Sequence, residues 1–181
     1  HISSIKNIED DRFNTTNISI EELLSIRNKE LPLINDSLEE KIKHTIMQAK
    51  YDGNSVGGTI ECAVVGINPG VGNPFFDSVE STLAHLMFSV PAVKGIEFGK
   101  GFEMTKLFGS EANDDYYYDG DLVKTKTNNN GGVLGGISNG MPILFRVAVK
   151  PTASILKEQN TVDIKNKKDV KFRIEGRHDP C

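Results

Sequence analysis

Residues 128–154 read NNNGGVLGGISNGMPILFRVAVKPTAS. Five glycines fall within ten residues, at Gly131, Gly132, Gly135, Gly136 and Gly140. An apolar run over 143–149 follows, and it ends on Lys150-Pro151-Thr152-Ala153-Ser154. Glycine reaches φ > 0 and lets backbone approach a ligand closely. A lysine and two hydroxyls at a strand end offer donors to an anionic group. The stretch therefore reads as a glycine-lined shelf, a strand and a polar corner. The competing reading is a flexible loop before an ordinary strand. The remainder of the chain decides between them.

The 181 residues suffice for one domain with a buried core. An apolar content of 38% and 25% charged residues fit a soluble protein, and no run approaches a membrane span. The net charge of -4 argues against nonspecific nucleic-acid binding. Cys62 and Cys181 lie far apart and form no CxxC, which points to a reducing, cytoplasmic compartment. The chain opens on His1 without a signal peptide or initiator methionine and stops at Pro180-Cys181 without a closing element. It reads as a single-domain fragment, 1–181, with further chain expected on both sides.

From the start, residues 1–8 read as a short strand and 9–16 as a polar connector. Ser19-x-x-Glu22 is a capping box with Ile18 and Leu23 as a hydrophobic staple. Asp36-x-x-Glu39 starts a longer helix with Leu38, Ile42, Thr45, Ile46 and Ala49 at helical spacing. His44 falls off that stripe and is expected on a solvated face. Residues 59–65 form a strand with Ile60, Cys62 and Val64 on one face, so Cys62 is a packed thiol. Gly70-Val71-Gly72 begins a dinucleotide fingerprint, but Phe75 takes the third glycine position and rules it out.

Asp77-x-x-Glu80 is expected to cap a third helix with Val79, Leu83, Leu86, Met87 and Val90 on one face and Phe88 on a second, ended by Pro91. His85 beside that stripe reads as a packed or interface histidine. Residues 93–98 form a strand, 99–101 a turn, and 102–108 fits helix and strand equally. Residues 111–121 hold five acids and Tyr116-Tyr117-Tyr118, which reads as a mobile acidic loop rather than a metal site. Residues 122–127 suggest a strand, and 160–164 with 170–174 a hairpin around a basic tip. Strands interleaved with amphipathic helices give an α+β class with helices layered on mixed or antiparallel sheets.

The chain closes on Gly176-Arg177-His178-Asp179-Pro180-Cys181. Arginine binds phosphate or carboxylate, and the adjacent His and Asp are candidate proton-transfer groups. A metal site with Cys181 and a plain salt-bridge corner are alternatives. Four stretches together are more specific. GNPFFDSVESTLAHLMFSVPAVKGIEFGKGF (72–102), NNNGGVLGGISNGMPI (128–143), VKPTASI (149–155) and GRHDPC (176–181) stand in this order and spacing. They closely resemble the chorismate synthase family from about Leu38 onward, and more loosely before Leu33.

The resemblance implies a 1,4-anti elimination that converts 5-enolpyruvylshikimate 3-phosphate to chorismate and phosphate, with reduced FMN as cofactor and NADPH associated with its reduction. It further implies a β-α-β sandwich with helices between two sheets, a homotetramer, and no metal. Position by position it assigns flavin contact to Pro91 and Ala92, to Gly135, and to Lys150, Pro151, Thr152, Ala153 and Ser154. Arg177 matches a cofactor-site arginine, and Asp179 matches an acid beside flavin N5. Pro91 departs from the family, where many relatives carry Asn, so contact there is left to shape and carbonyls. The family's catalytic histidines, its RxSARET-type stretch and most substrate-binding arginines are expected to precede His1. The chain has five arginines, and only Arg177 falls in one of these motifs. A noncatalytic flavin-binding or oligomerisation fragment is the alternative reading.

Overall fold

The apolar run of the central stretch becomes β9, Ile143–Val149, the most buried strand of the molecule. Its branched and aromatic residues suit a pleated, enclosed position. The computed structural model describes residues 1–176 and 179–181. On one side β9 pairs antiparallel with β3, Gly58–Val64, and on the other with β4, Val93–Phe98. Beyond β3 lie β1, Ile2–Ile5, and β2, Ile8–Glu9, completing a five-stranded sheet in the order β2-β1-β3-β9-β4. Every pairing in it is antiparallel.

Alternate residues of β9 face opposite ways. Ile143, Phe145 and Val147 form a core with Val93 and Val133, onto which α3, Val79–Ser89, lays Val79, Leu83 and Met87. Leu144 points to the other side and packs with Phe13, Ile18 and Ile26, the last from α1, Ile20–Arg27. A third cluster joins Ile5, Ile8 and Leu33 to Ile42 of α2, Glu39–Tyr51. The architecture is thus α+β with antiparallel sheets and helices, as expected.

Local chemistry sets the helix ends. Ser19 caps α1 by accepting from the Glu22 N–H at 3.0 Å. The other two caps fall one residue from their expected places. Asn35, not Asp36, caps the 3₁₀ turn Asp36–Leu38 that leads into α2, and Asp36 instead pairs with Lys29. Ser78, not Asp77, caps α3, accepting from the Ser81 N–H at 3.0 Å. Neighbouring Asp, Asn and Ser residues compete for one cap, and backbone entry angle decides among them.

Ile60, Cys62 and Val64 share a face, but only Cys62 packs against the main core, and Ile60 stays 41% exposed. His44 is exposed, as expected, whereas His85 is exposed rather than packed. On α3, Leu86 and Phe88 lie uncovered. The sequence 102–108 resolves into a 3₁₀ helix, Gly101–Lys106. The acidic stretch forms a short helix and one strand of a hairpin rather than a loop. It contains the short α4, Gly109–Ala112, and the hairpin β5, Tyr116–Asp119, with β6, Leu122–Thr125. Two further ribbons are β7, Val133–Leu134, with β8, Ile137–Ser138, and β10, Gln159–Asp163, with β11, Lys168–Phe172. No helix among the described residues is long and apolar enough to cross a membrane.

Candidate functional site

The end of β9 and the start of β3 gather separated pieces of sequence by hydrogen bonds to main-chain carbonyls. The Lys150 N–H donates to the Ala92 carbonyl at 2.9 Å, joining the turn after α3 to the polar corner. Ser55 Oγ donates to the Thr152 carbonyl at 2.6 Å. The Val56 N–H donates to the Pro180 carbonyl at 2.8 Å, which brings Asp179-Pro180 to the start of β3. Pro91, Ala92, Lys150–Ser154 and Asp179 therefore converge on one region, though about 90 residues separate the first from the last.

Gly57 makes this convergence sterically feasible. A Cβ there would stand 2.4 Å from the Val149 carbonyl oxygen and 2.8 Å from Pro151 Cδ. Ala92 is held at φ 71°, a left-handed conformation that costs an L residue roughly 1–2 kcal/mol. Such strain persists where surrounding structure imposes it, often at ligand sites. The corner is outward-facing, with Lys150, Pro151, Ala153 and Ser154 all exposed. Among the described residues, no ion pair engages the Lys150 ammonium and no hydrogen bond is made by the Thr152 or Ser154 hydroxyl. Arg177, the remaining residue expected at this corner, lies outside the described residues.

Gly135 is not brought to this corner. It sits in the β7–β8 turn at φ 60°, with nothing within 4 Å of where its Cβ would be. The neighbouring Gly136 carbonyl accepts from the Val79 N–H at 3.0 Å, so this turn abuts the first residue of α3. Pro91 and Ala92 follow the last residue of that 11-residue helix. At 1.5 Å per residue the two places are about 16 Å apart.

The glycine loop is held by residues that the sequence did not single out. Asn128 Nδ2 donates to the Thr15 and Pro142 carbonyls, each at 2.8 Å, and its Oδ1 accepts from the Gly132 N–H at 2.7 Å. Buried Asp114 accepts from Thr127 Oγ1 and the Asn129 N–H, each at 2.7 Å, and from the Asn130 N–H and Nδ2 at 3.0 and 2.8 Å. Burial pushes the Asp114 carboxyl up, but these hydrogen bonds outweigh it and hold the pKa below the usual carboxylate value. Burial raises the Cys62 thiol above its ordinary value, in keeping with a packed, unreactive cysteine. Among the described residues, no group of three or more His, Cys, Asp or Glu side chains is placed to hold a metal.

A family model described as chorismate synthase matches residues 1–181. The chain belongs to the chorismate synthase family. It is 45% identical over 169 residues to the chorismate synthase of Pyrococcus abyssi, covering 93% of this chain and 47% of that protein. It is 46% identical to the chorismate synthase of Methanococcus aeolicus, covering 99% of this chain and 50% of the relative. With the Chitinophaga pinensis chorismate synthase it shares 56% identity over 128 residues, covering 71% and 38%. A crystal structure of chorismate synthase superposes with a TM-score of 0.75 at 34% identity, covering 84% of this chain and 48% of that one. The chain spans about half the length of the chorismate synthases it matches.

Proposed function

We propose that this chain forms the flavin-binding part of a chorismate synthase. In this reading the protein converts 5-enolpyruvylshikimate 3-phosphate to chorismate by 1,4-anti elimination of phosphate, using reduced FMN. One observation carries it: the Lys150 N–H bonds the Ala92 carbonyl, and Ser55-Val56 ties the Thr152 carbonyl to that of Pro180, in a chain matched throughout by the family model. The donor set suits the cofactor, because an exposed ammonium and two hydroxyls without partners among the described residues fit a phosphate group.

Reduced FMN supplies, when bound, the electrons and the basic ring nitrogen that loss of phosphate and of a ring proton require. Lys150 neutralises the cofactor's phosphate while Thr152 and Ser154 donate hydrogen bonds to it. Pro151 fixes the direction of the corner through its restricted φ. Pro91 has no N–H to donate and the Ala92 carbonyl already accepts from the Lys150 N–H, so contact at this turn is left to shape and the Pro91 carbonyl. Ala153 adds backbone, and Arg177 a second cation. Asp179 handles the proton at flavin N5. A ligand that also touches Gly135 must be elongated and run alongside α3, which suits a molecule with a ring system at one end and a phosphate at the other. The same reading takes the protein as a cytoplasmic homotetramer.

The test is a titration of the full chain with FMN, before and after Lys150→Ala. Loss of a charge-assisted hydrogen bond, worth about 1.5–3 kcal/mol, weakens binding by about 10- to 100-fold. Unchanged affinity removes Lys150 from the cofactor site. The chain's span of about half its relatives' length favours a second reading, that residues 1–181 bind flavin or support assembly without turning over. Turnover by the 181-residue chain alone excludes that second reading.

A further inference from the structure

The sheet face turned away from α3 carries a row of charges. Glu61, Arg146 and Glu97 stand opposite one another on β3, β9 and β4. Arg146 pairs with Glu97, whose other oxygen accepts from the Phe102 N–H at 3.1 Å. Glu61 is drawn the other way, accepting from His1 Nε2 at 2.9 Å and the Phe13 N–H at 3.2 Å. Arg146 is thus satisfied on one side only. Its Nε–H is buried without an acceptor among the described residues. A buried donor in that condition calls for an explanation, and a bound anion is one.

Beside this guanidinium opens a cavity of about 410 Å³, to whose lining Arg12 and Lys100 also contribute. Both side chains are exposed, on segments fixed to the sheet by neighbouring backbone bonds. Glu103, which feels both cations, is bound first by Lys106 at 2.8 Å. Three cations therefore face the cavity against one carboxylate, Glu61, which already accepts two hydrogen bonds. This occurs in a chain of net charge -4. A recess lined by one sign of charge concentrates counter-ions, and guanidinium groups match oxyanions in geometry.

We propose that this cavity binds a small doubly charged oxyanion, the phosphoryl group or paired carboxylates of a metabolite. The site is separate from the Lys150 corner. Arg146 lies four positions earlier on β9, about 13 Å along an extended strand. Calorimetric titration of the full chain with inorganic phosphate, and separately with malonate, at fixed ionic strength tests the assignment. Saturable binding of either is expected, is retained when Lys150→Ala removes the cation proposed for the flavin phosphate, and is weakened about tenfold or more when Arg12→Ala/Lys100→Ala is added to that variant. A preference for phosphate assigns a phosphoryl ligand, and a preference for malonate a dicarboxylate. Circular dichroism confirms that the triple variant stays folded, as expected from the exposure of all three residues. Absence of saturable binding in the unaltered chain overturns the proposal. So does binding that disappears with Lys150→Ala alone, or that survives undiminished in the triple variant.

Discussion

Replacing Asp114 by Asn tests whether one carboxylate organises the glycine loop. The carboxylate accepts four hydrogen bonds, two at each oxygen. An amide of the same shape keeps one oxygen and serves one pair. Its NH₂ group then faces the donors of the other pair, so two charge-assisted bonds are lost. At about 1.5 kcal/mol each, the low end for bonds to a charged group, the loss is about 3 kcal/mol. With a urea slope of about 2 kcal/mol/M, the unfolding midpoint falls by about 1.5 M. The difference also depends on pH. The folded pKa of Asp114 is depressed. Its contribution is therefore fully present above the unfolded value of about 3.9 and is lost as pH falls through the folded pKa. Asp114→Asn is accordingly far less stable than the unaltered chain at pH 7, and the gap narrows progressively below about pH 4. A midpoint at pH 7 within about 0.2 M of the unaltered chain would falsify the assignment of four bonds to this carboxylate.

Three further outcomes are expected. Ile42 is fully buried between α2 and the sheet edge, so Ile42→Ala should cost about 2–5 kcal/mol in denaturant unfolding; a loss below about 1 kcal/mol would mean that this cluster is loosely packed. Gly57→Ala and Gly135→Ala should separate space from conformation. The first drives a Cβ into the Val149 carbonyl and Pro151, for a loss of about 3 kcal/mol or more and disturbance of the corner. The second meets no neighbour and carries only the left-handed penalty of roughly 1–2 kcal/mol; equal destabilisation would contradict the close approach at Gly57. Under the proposed role of Asp179 as a proton-handling group, Asp179→Asn in the full chain should keep reduced-FMN binding while turnover drops about 10²- to 10⁴-fold, whereas near-normal turnover would eliminate that role.

What the sequence disclosed depends on the range of the interaction. β9, β3, β4 and the three longer helices were legible because their periodicity is local, and the Ser19 cap because it spans three residues. The caps at Asn35 and Ser78 were displaced by one position because several capping residues stand side by side in each case. The hairpin through Tyr116-Tyr117-Tyr118 was hidden by its acids, since residues exposed on both faces leave no alternation to read. Of the candidate site, the corner at Lys150 was visible as a motif, whereas its meeting with Ala92 and Asp179-Pro180 was implied only by the family resemblance and not by the residues themselves. The Lys150–Ala92 and Val56–Pro180 bonds are main chain to main chain, and they leave no signature in side-chain identity. The same limit hid the row Glu61-Arg146-Glu97, which exists only through cross-strand register.

The position of β9 between two partners has a consequence for exchange with solvent. Its amides are locked on both edges, by β3 and by β4, so releasing them means opening the sheet on which the main core is built. They should exchange with deuterium only when the whole domain opens. The β10–β11 ribbon has no such second partner, pairing only with itself, and its amides should exchange by local fraying. The Lys150 corner lies at the junction of these two regimes. Its Lys150 N–H is fastened to Ala92 beside the central strand, while the chain nine residues later enters a two-stranded ribbon. Protection factors should therefore fall steeply across residues 150–159, marking where the rigid scaffold hands the chain over to a segment free to adapt to whatever it meets.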